Sequence, residues 1–381
     1  MAAKRIVLHT RVVSGAGGGP DKTILNSPRF LENSDYELLC AFMRHPRDPG
    51  FRELERRARQ WRAPLLAVDD LGPLDGRVPK RLRQICERRR VDIWHGHDYK
   101  SNLMGLLVRR SYPMPLVTTV HGWVKRTWKT PIYYAIDRVC LRYHDAVVCV
   151  SEDLYRRCLD LGIPMDRCHL IENAIDVGQF RRRRPIAAAK ADRGTAPERL
   201  VVGAVGRLSR EKRFDLLVRA VKQLVDEGLD LELWIAGEGE EDEALTRLAG
   251  DLGLGGRVKL LGFFSEIAEL YQAMDVFALS SVREGLPNAL LEAMASEVPV
   301  ISTRTGGIAR LLDHDENGLL VELGSSAGLA AGLRRLLEDR ELRSGLARAA
   351  REKVERDFSF ERRMLAMRDV YDRMPRRPGR E

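Results

Sequence analysis

The chain is poor in aromatic residues, 6% of its 381 positions, and it holds only six cysteines. The cysteines, at positions 40, 86, 140, 149, 158 and 168, form no C-x-x-C pair and sit mostly among apolar neighbours. This excludes a disulfide framework and predicts buried thiols in a reducing compartment, by default the cytoplasm. No apolar run approaches the length that spans a bilayer. The opening MAAKRIVLHT enters a strand pattern directly, without the apolar core and cleavage site of a signal peptide. Aromatic interleaving of the basic residues is also lacking. Much of the formal net charge of +9 comes from short arginine clusters: Arg88–Arg90, Arg181–Arg184, and Arg376, Arg377 and Arg380 in the tail. Without a nucleic-acid module around them they are expected to be solvated faces, and no nucleic acid is expected as a partner.

Two phosphate-binding signatures are missing where they would be looked for first. Residues 13–25 read VSGAGGGPDKTIL, just after a strand-like run, Arg5–Thr10. A G-x-G-x-x-G fingerprint begun at Gly15 and Gly17 would need its third glycine where Pro20 stands. The second apolar run, Tyr36–Met43, is followed by Arg44 and His45, so no acid is placed for a ribose. A P-loop ending in Lys22-Thr23 would need glycine at the positions of Ala16 and Asp21. What remains is either an ordinary surface turn or a turn poor in side chains whose backbone can approach a ligand. Lys22 and Thr23 are expected to begin the first helix.

What the chain has in abundance is alternation. Short aliphatic runs recur at Arg5–Thr10, Tyr36–Met43, Leu65–Val68, Asp92–His95, Leu116–His121, Ala146–Val150 and His169–Glu172. They restart at Leu200–Gly206, Leu231–Ala236, Val258–Leu261, Val276–Leu279, Val300–Thr303 and Leu319–Val321. Amphipathic stretches lie between them, as at Lys80–Arg90 and Thr130–Tyr143. Strands alternating with helices predict parallel sheets covered on both faces. The charged, Ala- and Pro-containing stretch 180–199 is expected to link two doubly wound domains, residues 1–179 and 200–358. A terminal helix is expected over Ser359–Met374, within a closing segment 359–381, after a long helical region from Ala327 to Phe358.

The second half carries the chemistry. Val205-Gly206-Arg207-Leu208 ends its first strand, and Lys212 follows near a helix start, so two fixed cations can meet one diphosphate. Solvated charges at a helix start are the simpler alternative. After the strand Val276–Leu279 comes SSVREGLPNALLEAM, residues 280–294. Pro287 suits a first helical turn, with Asn288 or its neighbours as caps. Glu284 lies in the loop and Glu292 two turns into an apolar helix, where an unpartnered carboxylate is costly. Sugar hydroxyls would supply donors for both, and the helix start leaves free N–H groups for phosphate.

The Glu284-x7-Glu292 pair within EGLPNALLEAMA, with GRLSREK upstream, resembles the retaining, nucleotide-sugar-dependent glycosyltransferases of family four. The resemblance covers nearly the whole chain. It implies an α/β GT-B fold: two facing Rossmann-like doubly wound parallel-sheet domains, with a C-terminal helix crossing back to the first. It also implies that Arg207 and Lys212 hold the donor diphosphate, that Glu292 binds the ribose hydroxyls, and that Glu284 lies beside the transferred sugar. The backbone of Gly285, Leu286, Pro287 and Asn288 would meet phosphates and sugar. In the first half, Thr118-Thr-Val-His-Gly-Trp123 places His121 at a strand end, like the family's histidine that contacts the donor sugar. Gly18 and Gly19 would border the donor diphosphate. Ser151, Asn173 and Asp176 match recurring family positions, with Ala174 where glycine is usual.

His95-Gly-His97-Asp98 also ends a strand and invites a metal reading. Side chains alternate along a strand, which is taken here to send the two rings to opposite faces, so no metal site is expected. The resemblance implies no metal or other cofactor for the chemistry. It implies transfer of a sugar from a UDP- or GDP-sugar to a hydroxyl with retention, the phosphate oxygen taking the acceptor proton. A cell-surface or lipid-linked glycan is the expected acceptor. The basic and aromatic segment 124–136 suits contact with an anionic membrane, or equally a core-facing helix with a basic outer face. A GT-B epimerase or hydrolase, and a non-catalytic nucleotide-sugar or nucleic-acid binder, stay open as alternatives.

Overall fold

The computed structural model describes residues 4–73, 75–122, 130–264 and 266–377. Residues 124–129 of the basic and aromatic segment lie outside them, as do Trp123 and Arg380. The chain divides into two units, Met1–Glu172 with Glu361–Glu381, and Asn173–Phe360.

The first unit is built on seven strands: β1 (Arg5–Val12), β2 (Tyr36–Arg44), β3 (Leu65–Asp69), β4 (Ile93–Gly96), β5 (Leu116–Val120), β6 (Ala146–Cys149) and β7 (Cys168–Leu170). They form one sheet in the order β3-β2-β1-β4-β5-β6-β7, every pair parallel. Parallel pairing requires a crossover after each strand, and the crossovers cover both faces with helices. That is why strands such as Ala146–Cys149 are apolar at successive positions, and buried at all of them. All six cysteines are free and buried.

The glycine turn closes β1. Gly17 has φ +72°, and a Cβ there would fall 2.7 Å from Leu54 Cδ2, so no other residue fits its place. The first helix starts at Gly19, earlier than Lys22-Thr23, because Gly18 serves as N-cap and donates its N–H to Asp21 Oδ2 at 2.6 Å. Asp21 is held in turn by Arg11 at 2.7 Å. The terminal helix, Phe360–Asp372, belongs to the first unit as expected. Arg5 donates to the carbonyls of Tyr371 and Met374 at 3.0 and 3.1 Å, and Tyr36 Oη meets Asp372 at 2.6 Å. The buried Arg363 donates to the carbonyls of Ile171 and Glu172.

The second unit holds β8 (Leu200–Val205), β9 (Leu231–Ala236), β10 (Val258–Leu260), β11 (Val276–Leu279), β12 (Val300–Thr303) and β13 (Leu319–Val321). Their order, β10-β9-β8-β11-β12-β13, repeats the centre-outward winding of the first sheet, again all parallel. One face is packed by Trp234, Tyr271, Phe277 and Leu291, the other by Leu217, Val221, Leu233 and Leu333. The helical region after Ala327 is two helices, Ser326–Glu338 and Arg340–Asp357, because Asp339 breaks the first and caps the second by accepting from Leu342 N–H at 2.8 Å.

The stretch 180–199 is not a free linker. It is part of the second unit, whose boundary falls at Asn173. Arg182 donates to the carbonyls of Gln272 and Glu297, and Ile186–Ala191 is a short helix. Lys190 is buried, 2.6 Å from Asp275, with side chains 3% and 10% exposed. Its remaining protons reach the carbonyls of Pro197 and Arg199, and Asp275 also accepts from Val201 N–H. Charge in such a stretch suggests solvent, whereas here Lys190 is consumed by the buried Asp275 and Arg182 by two carbonyls. Lys190→Met is therefore expected to cost about 3–5 kcal/mol by leaving Asp275 buried and uncompensated. Lys190→Met/Asp275→Leu should recover most of that loss, read from chemical-denaturation midpoints.

Candidate functional site

In the second unit, the loops leaving the C-terminal ends of β8, β11 and β12 are stitched together. Ser280 Oγ donates to the carbonyl of Lys212 at 2.8 Å, and Val282 N–H donates to the carbonyl of Glu211 at 2.9 Å. Thr303 Oγ1 donates to the carbonyl of Ser281 at 2.6 Å. Within this frame Lys212 Nζ lies 2.6 Å from Glu284 Oε1, which also accepts from Ser281 Oγ at 2.6 Å. Neither end is fully buried: the side chains are 21% and 11% exposed. Arg207 is exposed and makes no ion pair among the described residues. An incoming anion thus meets one free cation, Arg207, and a second, Lys212, for which it must compete with Glu284.

The helix Asn288–Ala295 begins beside Glu284. Pro287 is its N-cap and Asn288 its first residue, so Asn288 does not cap it, and no side chain does. Leu290 and Leu291 N–H donate to the carbonyl of Pro287, whereas the N–H groups of Asn288 and Ala289 lack intrahelical partners, the property that lets a helix start take an anion. Two contacts shape the approach to it. Asn173 Nδ2 donates to the carbonyl of Leu286 at 3.3 Å. Gly307 N–H donates to the carbonyl of Glu284 at 3.3 Å, and a Cβ on Gly307 would overlap Gly285 O at 1.3 Å. Glu292 is buried, and Tyr271 Oη lies 3.0 Å from its Oε2 and 3.1 Å from the carbonyl of Ala289. Burial and this carboxylate raise the Tyr271 pKa well above its ordinary value, so the phenol keeps its proton.

Arg207, Lys212, Glu284 and the 285–288 backbone, expected from the sequence to form one site, all follow the C-terminal ends of β8 and β11. The sequence did not point to Tyr271, Ser281, Thr303 or Gly307. The Gly306-Gly307 pair after an apolar strand was the available signal for the last. Ser151 turns out to cap the helix Glu152–Asp160, accepting from Leu154 N–H.

In the first unit, His121 directly follows β5 and is half-buried. The expectation about its neighbours is wrong. Alternation along a strand has period two, so His95 and His97 share a face. Their rings stack with centroids 4.3 Å apart. His97 Nε2 lies 2.8 Å from His9 Nδ1, and His97 Nδ1 lies 3.1 Å from His121 Nε2. Burial, with the Arg363 charge adding to it, pushes the His9 pKa down to about 3. Burial likewise holds His95, His97 and His121 well below the usual value. His9, His95 and His97 also bring one ligand atom each within 4.8 Å of the others.

Two outcomes follow from these sites. Gly307→Ala is expected to fold but lose most nucleotide affinity, because the 284–287 loop must move off its present path; titration calorimetry with a nucleoside diphosphate reads this. The unfolded imidazoles titrate near 6.5 and the folded ones far lower, so the unfolded chain takes up protons that the native one refuses. Stability is complete above pH 6.5 and falls as the pH drops below it, by about 2 kcal/mol at pH 5 for His9 alone. Urea midpoints at pH 7.5 and pH 5 measure it.

Comparison with known proteins adds the family. Residues 17–179 match the model of Glycosyltransferase Family 4, and residues 186–353 that of Glycosyl transferases group 1. The D-inositol 3-phosphate glycosyltransferase of Saccharomonospora viridis is 30% identical over 308 residues, covering 74% of this chain and 69% of that protein. The lipopolysaccharide core biosynthesis glycosyltransferase LpsE of Rhizobium meliloti is 34% identical over 230 residues, 60% of this chain. The match spans only 64% of the length of LpsE. Anabaena HepE, solved with UDP-glucose, superimposes with a TM-score of 0.81 at 21% identity, over 96% of this chain and 99% of that one. Each unit on its own carries one of the two family models, and together with the relative from Saccharomonospora they place the chain in the family 4, group 1, glycosyltransferases.

Proposed function

We propose that the chain transfers a sugar from a nucleoside diphosphate sugar to a hydroxyl acceptor, with retention at the anomeric carbon. The observation that carries the reading is the Lys212–Glu284 pair beside an unpaired Arg207 and the start of the helix Asn288–Ala295. In this reading the donor diphosphate takes Arg207, Lys212 and the amides of the 285–288 backbone, and Glu284, released from Lys212, turns to the hydroxyls of the transferred sugar. Glu292 accepts from the ribose hydroxyls, with Tyr271 holding its other oxygen. His121 is assigned to the transferred sugar, and the backbone at Gly18 and Gly19 to the donor diphosphate. The donor nucleotide is assigned as UDP, because HepE, of the same fold, was solved with UDP-glucose.

The acceptor oxygen bonds to the anomeric carbon as the bond from that carbon to the β-phosphate oxygen breaks. The acceptor proton passes to a phosphate oxygen, and the products are a glycoside and a nucleoside diphosphate. Negative charge grows on the β-phosphate, where two cations and fixed dipoles already stand. That positive set, rather than a divalent ion, is proposed to stabilise the leaving group. The acceptor is assigned as a glycan precursor carried on a lipid or at the cell surface. One relative is named for lipopolysaccharide core biosynthesis, another for galactosyl transfer to GlcNAc-diphosphoundecaprenol.

Arg207→Ala should lower kcat/KM about 100-fold, in line with the loss of one preorganised donor to a developing oxyanion. Glu284→Gln should lower kcat while leaving UDP binding at least as tight, because Lys212 loses its competitor. Initial rates and calorimetry on both variants read these effects, and wild-type transfer by both would sink the assignment. Product analysis with and without acceptor separates transfer from hydrolysis or epimerisation.

A further inference from the structure

Four of the eight histidines of the chain lie in one array at the C-terminal edge of the first sheet. They are joined by a continuous series of hydrogen bonds. Thr119 Oγ1 lies 2.8 Å from His95 Nε2, and His95 Nδ1 lies 2.7 Å from Tyr371 Oη. Tyr371 Oη lies 3.3 Å from His9 Nε2. His9 Nδ1 then meets His97 Nε2 at 2.8 Å, and His97 Nδ1 meets His121 Nε2 at 3.1 Å. The planes of His9 and His97 differ by 19° with centroids 5.1 Å apart, and those of His97 and His121 by 26° with centroids 5.4 Å apart. Nearly coplanar rings at those separations meet edge to edge, nitrogen to nitrogen, as a hydrogen bond requires.

Each neutral imidazole has one N–H and one bare nitrogen, and a phenol donates once while accepting through its oxygen. Each link in the series needs one proton and one acceptor. If Thr119 donates to His95 Nε2, then His95 must donate through Nδ1 to Tyr371. Tyr371 must then donate to His9 Nε2, His9 through Nδ1 to His97, and His97 through Nδ1 to His121. All four rings then carry their proton on Nδ1. If His121 donates instead, every link reverses and all four carry it on Nε2. One mixed pattern of neutral rings fills every link, with Tyr371 accepting from both His95 Nδ1 and His9 Nε2, but it leaves the proton of the buried phenol without an acceptor in the series. A bare or doubly protonated meeting of nitrogens in this buried setting costs the desolvation of both groups.

We propose that His9, His95, His97 and Tyr371 are positioning residues for His121: one hydrogen-bonded series that keeps the four imidazoles in a single shared tautomer and so sets whether His121 Nδ1 donates to or accepts from a ligand hydroxyl. The role of His121 toward the sugar rests on the function proposed above, whereas the shared tautomer does not. The same atoms are poorly suited to a metal. Nitrogens 2.8 Å apart are at hydrogen-bond distance, closer than two ligands each at about 2.0–2.1 Å on a tetrahedral zinc would be. The neighbouring charges acting on these rings, Arg11 and Arg363, are both positive.

The test is a long-range proton–nitrogen correlation spectrum of the 15N-labelled full chain at neutral pH, without donor. The expected result is one tautomer common to His9, His95, His97 and His121. His144, whose Nδ1 bonds the carbonyl of Cys140 at 2.9 Å and which lies outside the series, is the internal control and should be an Nδ1–H form throughout. Tyr371→Phe cuts the series between His95 and His9. It should uncouple His9, His97 and His121 from the tautomer of His95, so that these three, still matched to one another, average between the Nδ1–H and Nε2–H forms; His144 should be unchanged and kcat about tenfold lower with donor KM unmoved. Thr119→Val makes the same test from the far end should the tyrosine variant not fold. Different tautomers among the four rings in the wild type, unaltered spectra in both variants, or zinc retained by the purified protein at these rings would each overturn the proposal. His121→Ala is measured separately. Full transfer activity there removes the catalytic role of His121 and leaves the shared tautomer standing, while an inactive His121→Ala beside mixed wild-type tautomers removes the series alone.

Discussion

Parallel strand pairing is the constraint from which the rest follows. Each of the two sheets is wholly parallel, so each strand must hand the chain to a crossover before the next can pair, and every strand of a sheet ends on the same edge. Residues far apart in sequence therefore collect along one line without any special contact to bring them there. Lys212 after β8, Glu284 after β11 and Gly307 after β12 meet for this reason. His9 on β1, His95 on β4 and His121 after β5 meet for the same reason in the other unit.

The two edges solve opposite electrostatic problems. In the second unit positive charge is kept near water and balanced reversibly: Lys212 rests on Glu284, and Arg207 is open to solvent. A charge held this way can be transferred to a diphosphate at small cost, because the displaced carboxylate stays partly hydrated. In the first unit the rings of His9, His95 and His97 are buried and that of His121 half-buried, all are held neutral, and they hydrogen-bond one another and Tyr371. The arginines that reach the interior serve as fasteners. Arg363 on carbonyls of Ile171 and Glu172 ties the terminal helix to the first unit, and Arg351 on those of Val177, Phe180 and Ala295 ties down the start of the second.

The strands were legible because a parallel strand buried on both faces must be apolar without interruption, which leaves a short, dense signal in sequence. All thirteen strand segments were found, with ends within two residues of those observed. The stretch 180–199 misled because composition reports only that charges are present, not whether a partner such as Asp275 waits for them. The site residues of the second unit were legible through local spacing, Glu284 to Glu292 on one loop and helix. Tyr271 and Thr303 were not, because each acts from another element that the sheet order brings close.

By itself the amino-acid sequence determined the alternation of strand and helix, the two doubly wound halves, and the identity of the charged and glycine residues at the strand ends. Those properties are local: they depend on runs of apolar residues, on spacing within one loop, and on the backbone needs of a turn. Only the tertiary structure decided which of those residues share partners. It paired Lys212 with Glu284 before any ligand arrives, placed Gly307 against Gly285, and aligned four histidines, two on strands and two just past strand ends, with a tyrosine from the last helix. Hydrogen bonds and ion pairs depend on distances of a few tenths of an ångström between segments hundreds of residues apart, and sequence spacing carries no record of those distances.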